Sequence, residues 1–339
     1  MLKIDRIKKV MIMLVVLLFI SGCKGNGVTK FFKKGSDFNP ATTSADLYKG
    51  SKGLTMEFLE KTPSAEIFEG GVLFIGAKLA NEGAYDIDNG FLLLNLERDY
   101  MQLEQDSLRS LTDEVSFIDD NHMRFNVNGK SIEYPDGDYD VITFAADALP
   151  LSRLDPSSES YEAVVSLTSC YEYQTRAIET VCIDSDVYEF KKREKACKVE
   201  DKSLSSQGAP IAVTKIESEM LPTRENTAIV KPIFIITINN VGGGKAVKKR
   251  NIRDACFAGT TEWDFIDIRA YLSTIEEANR LDCNIDEIKL EEGTGTVICT
   301  YEKGFSDDVG AFSSPLYIIL DYGYTDTVFE KVKIKRIFR

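Results

Sequence analysis

Ile75-Gly-Ala77-Lys-Leu79-Ala-Asn81-Glu-Gly83 and Phe234-Ile-Ile236-Thr-Ile238-Asn-Asn240-Val-Gly242 follow one pattern. In each, apolar side chains fall on every second residue and the run ends in Asn-x-Gly. Period two marks a strand with one face in a core. Asn and Gly both tolerate positive φ, so the ending reads as turn chemistry. The copies lie 159 residues apart (240 − 81). Without a gap, that offset also matches Thr55 with Thr214, Glu60 with Glu219, Pro63 with Pro222 and Glu66 with Glu225. A period this long is too large for a solenoid, and it predicts two domains of similar fold.

The chain opens with Lys3, Arg6, Lys8 and Lys9, then an unbroken apolar run from Val10 to Ile20, then Ser21-Gly22-Cys23. That order reads as a secretory signal, and the run is too short for a spanning helix of about 20 residues. Its ending resembles the lipobox of bacterial-type lipoproteins. The resemblance implies cleavage after residue 22 and a lipid on the thiol of Cys23, hence an extracytoplasmic protein held at the cell surface or in the periplasm. Residues 23–53 then read as a tether rich in small and polar residues. Within it, Lys30-Phe31-Phe32-Lys33-Lys34 is suited to lie among lipid headgroups.

The strands ending in Asn-x-Gly, set in a secreted modular chain, resemble the CARDB-type and related immunoglobulin-like domains of prokaryotic surface proteins. The resemblance covers Leu54–Gly83 and Val213–Gly242. It implies a mainly β chain of two β-sandwiches in tandem, used as spacer or adhesive module, and it brings no catalytic residues. The predicted division is a first sandwich over 54–199, a linker over 200–209 and a second sandwich over 210–339. Further strands are expected at 90–96, 138–145, 161–169 and 178–188 in the first. The second adds 211–220, 228–239, 265–272, 287–290, 297–301, 316–322 and 329–337. Asn128-Gly129 reads as a type I′ hairpin turn. Met101, Leu108, Leu111 and Val115 have helical spacing, and Thr274 with Glu277 has capping-box spacing.

The whole chain carries a formal charge of −13. Removing residues 1–22 removes four basic residues and Asp5, leaving −16 (−13 − 3) on 317 residues (339 − 22). A nucleic-acid partner would want a net basic face, so that class is excluded. Membrane lipid through Cys23 and a protein or glycan at the surface remain as partners. Beyond Cys23 stand six cysteines, an even number that outside the cytosol predicts three disulfides. Chain neighbours across hairpins give Cys170–Cys182 and Cys283–Cys299, which leaves Cys197–Cys256.

Candidate sites are few. Asp136, Asp138 and Asp140 alternate in a turn and form a weak calcium candidate that lacks an EF-hand's glycine and distal glutamate. Gly242-Gly-Gly-Lys245 lacks the spacing and the hydroxyl residue of a P-loop. With Lys248, Lys249, Arg250 and Arg253 it reads as a mobile basic loop able to meet an acidic polymer. His122 is the sole histidine, and no G-x-S-x-G motif occurs, so neither an enzyme nor a cofactor is expected. The function predicted is a non-enzymatic binding, adhesion or spacer module. An envelope lipoprotein assisting assembly of a complex is the alternative, and a secreted hydrolase comes third.

Overall fold

Alternating apolar residues draw most of the described residues into strands. The computed structural model describes residues 47–337 apart from 153–156, 189–193, 224–227 and 261. In chain order the first strands are β1 (Leu54–Phe58), β2 (Glu66–Phe68), β3 (Val72–Asn81), β4 (Ile87–Leu96), β5 (Met101–Leu103), β6 (Arg109–Ser110), β7 (Val115–Phe117), β8 (His122–Val127) and β9 (Tyr139–Ala148). The long β10 (Ser160–Asp184) is followed by β11 (Lys202–Ser203), β12 (Ile211–Pro222), β13 (Ile229–Asn240), β14 (Lys245–Val247) and β15 (Phe265–Leu272). Then come β16 (Asp282–Cys283), β17 (Glu287–Lys289), β18 (Thr294–Thr300), β19 (Phe305–Ser306) and the equally long β20 (Ala311–Lys335). One short helix, α1 (Ile252–Phe257), follows a 3-10 turn at Lys249–Asn251.

Three sheets result. β1-β3-β9-β5, with β6 on β9, forms the first. β11-β12-β13-β18-β16, with β19 on β13, forms another. Interleaved with both in sequence, β17-β15-β20-β10-β4-β8-β7 makes a central nine-stranded sheet that β14 and β2 join at β20. One core unites all three, with Leu79 and Ile142 from the first sheet, Leu167 and Leu320 from the centre, and Ile238 and Val297 from the third. Each such side chain, once buried, contributes about 1.5–3 kcal/mol. Among the described residues no helix is long and apolar enough to cross a membrane.

β10 and β20 pair antiparallel along their full 25 residues, from Ser160 opposite Lys335 to Asp184 opposite Ala311. The first part of β10 also pairs with β4, through Val165–Cys170. The first part of β20 pairs with β15, through Leu316–Asp321. Each strand therefore starts beside its own half of the chain and ends beside the other half. Glu172 opposite Gly323 is the crossing point, and it relates Tyr171 to Tyr322 and Tyr173 to Tyr324 at one offset of 151 (324 − 173). The halves 54–199 and 210–339 exchange the last parts of their final strands and so share the central sheet.

This corrects several expectations. The strands foreseen at 161–169 and 178–188 are parts of one unbroken strand, β10, and those at 316–322 and 329–337 parts of another, β20. No hairpin forms at Asn128-Gly129: the Gly129 N–H is donated to Asp86, and the Lys130 N–H to the Gly83 carbonyl. The segment holding Met101, Leu108, Leu111 and Val115 is short strands around a 3-10 turn, not a helix. Near Thr274 the turn is also 3-10, with Glu276 at its N-cap in place of a capping box. The repeat is real at Asn81 and Asn240 but slips at its front. Leu54 opposes Asn81 and Ile211 opposes Asn240, an offset of 157 (211 − 54). Thr55 pairs with Ala80, whereas Thr214 sits in a bulge between Val213 and Lys215. The gapless match of Thr55 to Thr214 is therefore not structural.

Candidate functional site

Four tyrosines meet where β10 and β20 cross. Tyr171, Tyr173 and Tyr322 are fully buried and Tyr324 nearly so, with neighbouring ring centroids 5.6–6.3 Å apart. Buried phenols need partners, and the Asn-x-Gly motifs supply them. Tyr173 Oη donates to Asn81 Oδ1 at 3.2 Å, and Tyr324 Oη donates to Asn240 Oδ1 at 3.0 Å. Asn81 Nδ2 donates to the carbonyl of Tyr85, and Asn240 Nδ2 to that of Gly244, four residues on in both cases. Neither Gly83 nor Gly242 has positive φ. Their role is close approach: a Cβ would stand 2.0 Å from Tyr173 Oη at Gly83 and 2.3 Å from Tyr324 Oη at Gly242. Tyr171 Oη accepts from the Leu54 N–H, and Thr175 Oγ1 donates to Ile211 O at 2.6 Å with Tyr322 Oη 2.9 Å away. Burial pushes the Tyr324 phenol up to about 12, so it stays neutral. This centre is structural.

On the opposite face of the central sheet, α1 lies over Cys170 and Phe91, bound by the Cys170–Cys256 disulfide. His122 stacks on Phe257 with centroids 4.0 Å apart, and its Nδ1 lies 2.8 Å from Asp119 Oδ1. The sole histidine thus helps seat α1. Asp321 is buried beside Lys249 of the 3-10 turn that precedes α1. Burial pushes its carboxyl up, but hydrogen bonds from Gln174 and Arg269 and the charges of Arg269 and Lys249 outweigh that and lower it. Lys249 lies 3.5 Å from both Glu172 and Asp321, Lys248 pairs with Glu287, and Arg253 lies over the Phe257 ring. Lys245 is in β14 on the edge of β20. The stretch from Lys245 to Arg253 is therefore an ordered clasp rather than a mobile basic loop, and two of its cations face carboxylates of the same chain.

The calcium candidate is also used otherwise. Asp140 is buried and accepts from Ser110 Oγ, Thr112 Oγ1 and the backbone N–H groups of Leu111, Thr112 and Val141. It caps the loop after β6. Asp138 accepts from Tyr139 N, and Asp136 is exposed beside Gly137. Among the described residues no three His, Cys, Asp or Glu side chains are grouped to hold a metal. Cys23, the signal and the tether up to residue 46 lie outside the described residues; the tether's last part is not a free linker, since Gly50 bridges to Gln207 and Lys52 pairs with Glu82.

The disulfides join Cys170 to Cys256, Cys182 to Cys197 and Cys283 to Cys299. The expected Cys170–Cys182 and Cys197–Cys256 pairs do not form. Cys170 and Cys182 lie on one unbroken strand, and twelve residues of strand span roughly 40 Å. Cys283 and Cys299 face each other across β16 and β18.

Two open depressions stand out. One, of 660 Å³, is polar and lined by Asp88, Asn89, Glu114, Asn126, Asp138 and Tyr139. The other, of 610 Å³, runs between the edge of β10 near Ile178 and the segment Ser203–Gln207.

No family model matches the chain, and no curated protein does. Among solved structures, the C-terminal domain of the AgI/II polypeptide BspA from Streptococcus agalactiae aligns at 8% identity over 83% of this chain and 98% of its own, with a TM-score of 0.22. A DUF4466 family protein from Parabacteroides merdae aligns at 8% identity over 79% of this chain and 99% of its own, TM-score 0.21. A serine-rich repeat adhesion glycoprotein from Streptococcus agalactiae gives 6%, 87%, 98% and 0.20. Likeness at this level carries no functional argument.

Sequence reasoning missed the groove beside β10 because it broke that strand in two. The signal available was the repeated Tyr-x-Tyr at Tyr171–Tyr173 and Tyr322–Tyr324, whose alternation continues the strand through the polar residues between.

Proposed function

We propose that this chain is a lipid-anchored extracytoplasmic protein whose two immunoglobulin-like sandwiches act as one rigid, non-enzymatic binding or spacer module. The observation that carries the reading is the exchange of the last halves of β10 and β20, with all six cysteines of the described residues in disulfides. Disulfides persist in oxidising compartments. Exchanged strands hold two sandwiches as one body, as a projecting module requires. The acid-rich, ordered surface and the ion-paired Lys248 and Lys249 support a protein or neutral glycan partner over a polyanion. Lipid on Cys23, placed by the sequence, supplies the anchor.

Intact-mass and peptide mass spectrometry of the native protein tests the anchor, with the expected result a mature N-terminus at Cys23 carrying a diacylglycerol. An unmodified, retained N-terminus would refute it. Mild crosslinking on intact cells followed by pull-down tests the module: surface proteins or glycans favour binding, and a fixed set of membrane proteins favours an assembly role.

A further inference from the structure

We infer that the groove beside β10 is a docking site for an extended peptide of a partner protein, added as a strand. β4 covers one edge of β10 only from Val165 to Cys170. Among the described residues no strand pairs with that edge from Gln174 to Val181. Eight residues of open edge offer roughly 26 Å of backbone donors and acceptors. Across the groove stands β11, the outermost strand of its own sheet. The depression is thus bounded by two sheet edges, and a backbone in extended form fits between them. The chain shows the same solution at the related edge, where β2 lies parallel along Lys333–Lys335 of β20.

The lining says what the peptide carries. Ile178 is 61% exposed, Ile275 53% and Tyr48 44%, and Tyr317 lies beside them. Ile178 of β10 and Tyr317, its partner on β20, form an apolar face that reaches the open edge, and clustered exposed apolar groups of this kind mark an interaction site. In strand addition the backbone supplies affinity and alternate side chains fill pockets. Lys49 and Arg176 line the groove against one carboxylate, Glu179. The occupant therefore alternates apolar with neutral or acidic residues. This deepens the binding-module reading and does not depend on the anchor.

The test uses the full-length protein in detergent at physiological ionic strength, where distant charges are screened. Three fluorescein-labelled nonapeptides serve as probes: alternating Val-Glu, alternating Val-Lys, and Val-Glu with alternate amides methylated. The Val-Glu probe should bind and slow amide exchange across residues 174–181. The lysine probe should bind at least tenfold more weakly, and the methylated one should not bind. Ile178→Asp should lower affinity tenfold or more, while Ile298→Asp, exposed on β18, leaves it unchanged, with circular dichroism confirming that both are folded. No binding of the Val-Glu probe at millimolar concentration, equal binding by the methylated probe, or protection confined elsewhere would overturn the proposal. Such a failure would leave the lipid on Cys23 untouched, so the two readings fail separately.

Discussion

Tyr324 Oη donates to Asn240 Oδ1 at 3.0 Å, reproducing in the second half the bond of Tyr173 to Asn81 in the first. The glycine two residues after each asparagine leaves room for the phenol.

Gly242→Ala should destabilise by about 1–3 kcal/mol, as overpacking does. Tyr324→Phe should cost about 1–3 kcal/mol by leaving the Gly244 N–H without its acceptor, while Asn240 Oδ1 keeps the Gly242 N–H. Together they should cost less than their sum, because removing Oη removes the clash, while Pro210 Cβ at 2.7 Å keeps the rescue partial. At Gly83 a new Cβ also meets the Gly208 and Lys52 carbonyls at 2.7 Å, so Tyr173→Phe should not rescue Gly83→Ala. Denaturant unfolding of the two cycles measures this. Strict additivity at Gly242 would contradict the close-approach role.

The strand exchange predicts that neither half folds alone. A fragment ending at Ser205 lacks the strand that lies along Ser160–Ser169, and one starting at Ser206 lacks the strand along Ala311–Asp321. Co-expressed, the two should assemble into a stable complex with the far-ultraviolet dichroism of the intact chain. A folded, monomeric first fragment would show that the exchanged strand is dispensable.

Non-reducing peptide mapping should recover Cys170 with Cys256 and Cys182 with Cys197. On the chain-entropy model, the separation of 86 residues makes the first worth about 4–5 kcal/mol, and the separation of 15 makes the second about 3 kcal/mol. The double serine variant at 170 and 256 should therefore melt lower than that at 182 and 197. It should also expose Trp263, which packs against this cluster, and so shift its fluorescence. Recovery of a Cys170–Cys182 peptide would overturn the unbroken run of β10.

Most strands were legible because period two survives in β3, β13, β9 and β18, where one face is buried and the other wet. The exchange was not legible. Glu172 and Gln174 look like a break, yet they are outward positions of an unbroken strand, and no local signal tells a strand which half of the chain it will end beside. Pairing of Cys283 with Cys299 could be read because β16 and β18 are close in sequence. Cys170 found its partner on α1, across a contact that sequence spacing does not encode. Asn-x-Gly was recognised as meaningful for the wrong cause, since a glycine needed for close approach looks the same in sequence as one needed for positive φ.

Two carboxyl groups on β20 should push stability in opposite directions with pH. Burial raises the Asp326 carboxyl above its ordinary value, with only a hydrogen bond from Thr327 N opposing. In the folded state it holds its proton to higher pH than in the unfolded chain. Stability from this group is complete below the unfolded value of about 3.9 and is lost as pH rises through the folded one. Asp321 is the reverse: burial alone would raise it, but Gln174, Arg269 and Lys249 lower it. Its contribution is present above about 3.9 and is lost as pH falls through the folded value. Asp326→Asn should therefore raise the melting temperature at pH 7 and have little effect at pH 3. Asp321→Asn should lower it at pH 7, with the deficit shrinking in acid. Thermal melts of both variants from pH 3 to 8 measure this, and equal shifts at all pH values would show that neither carboxyl is coupled to folding.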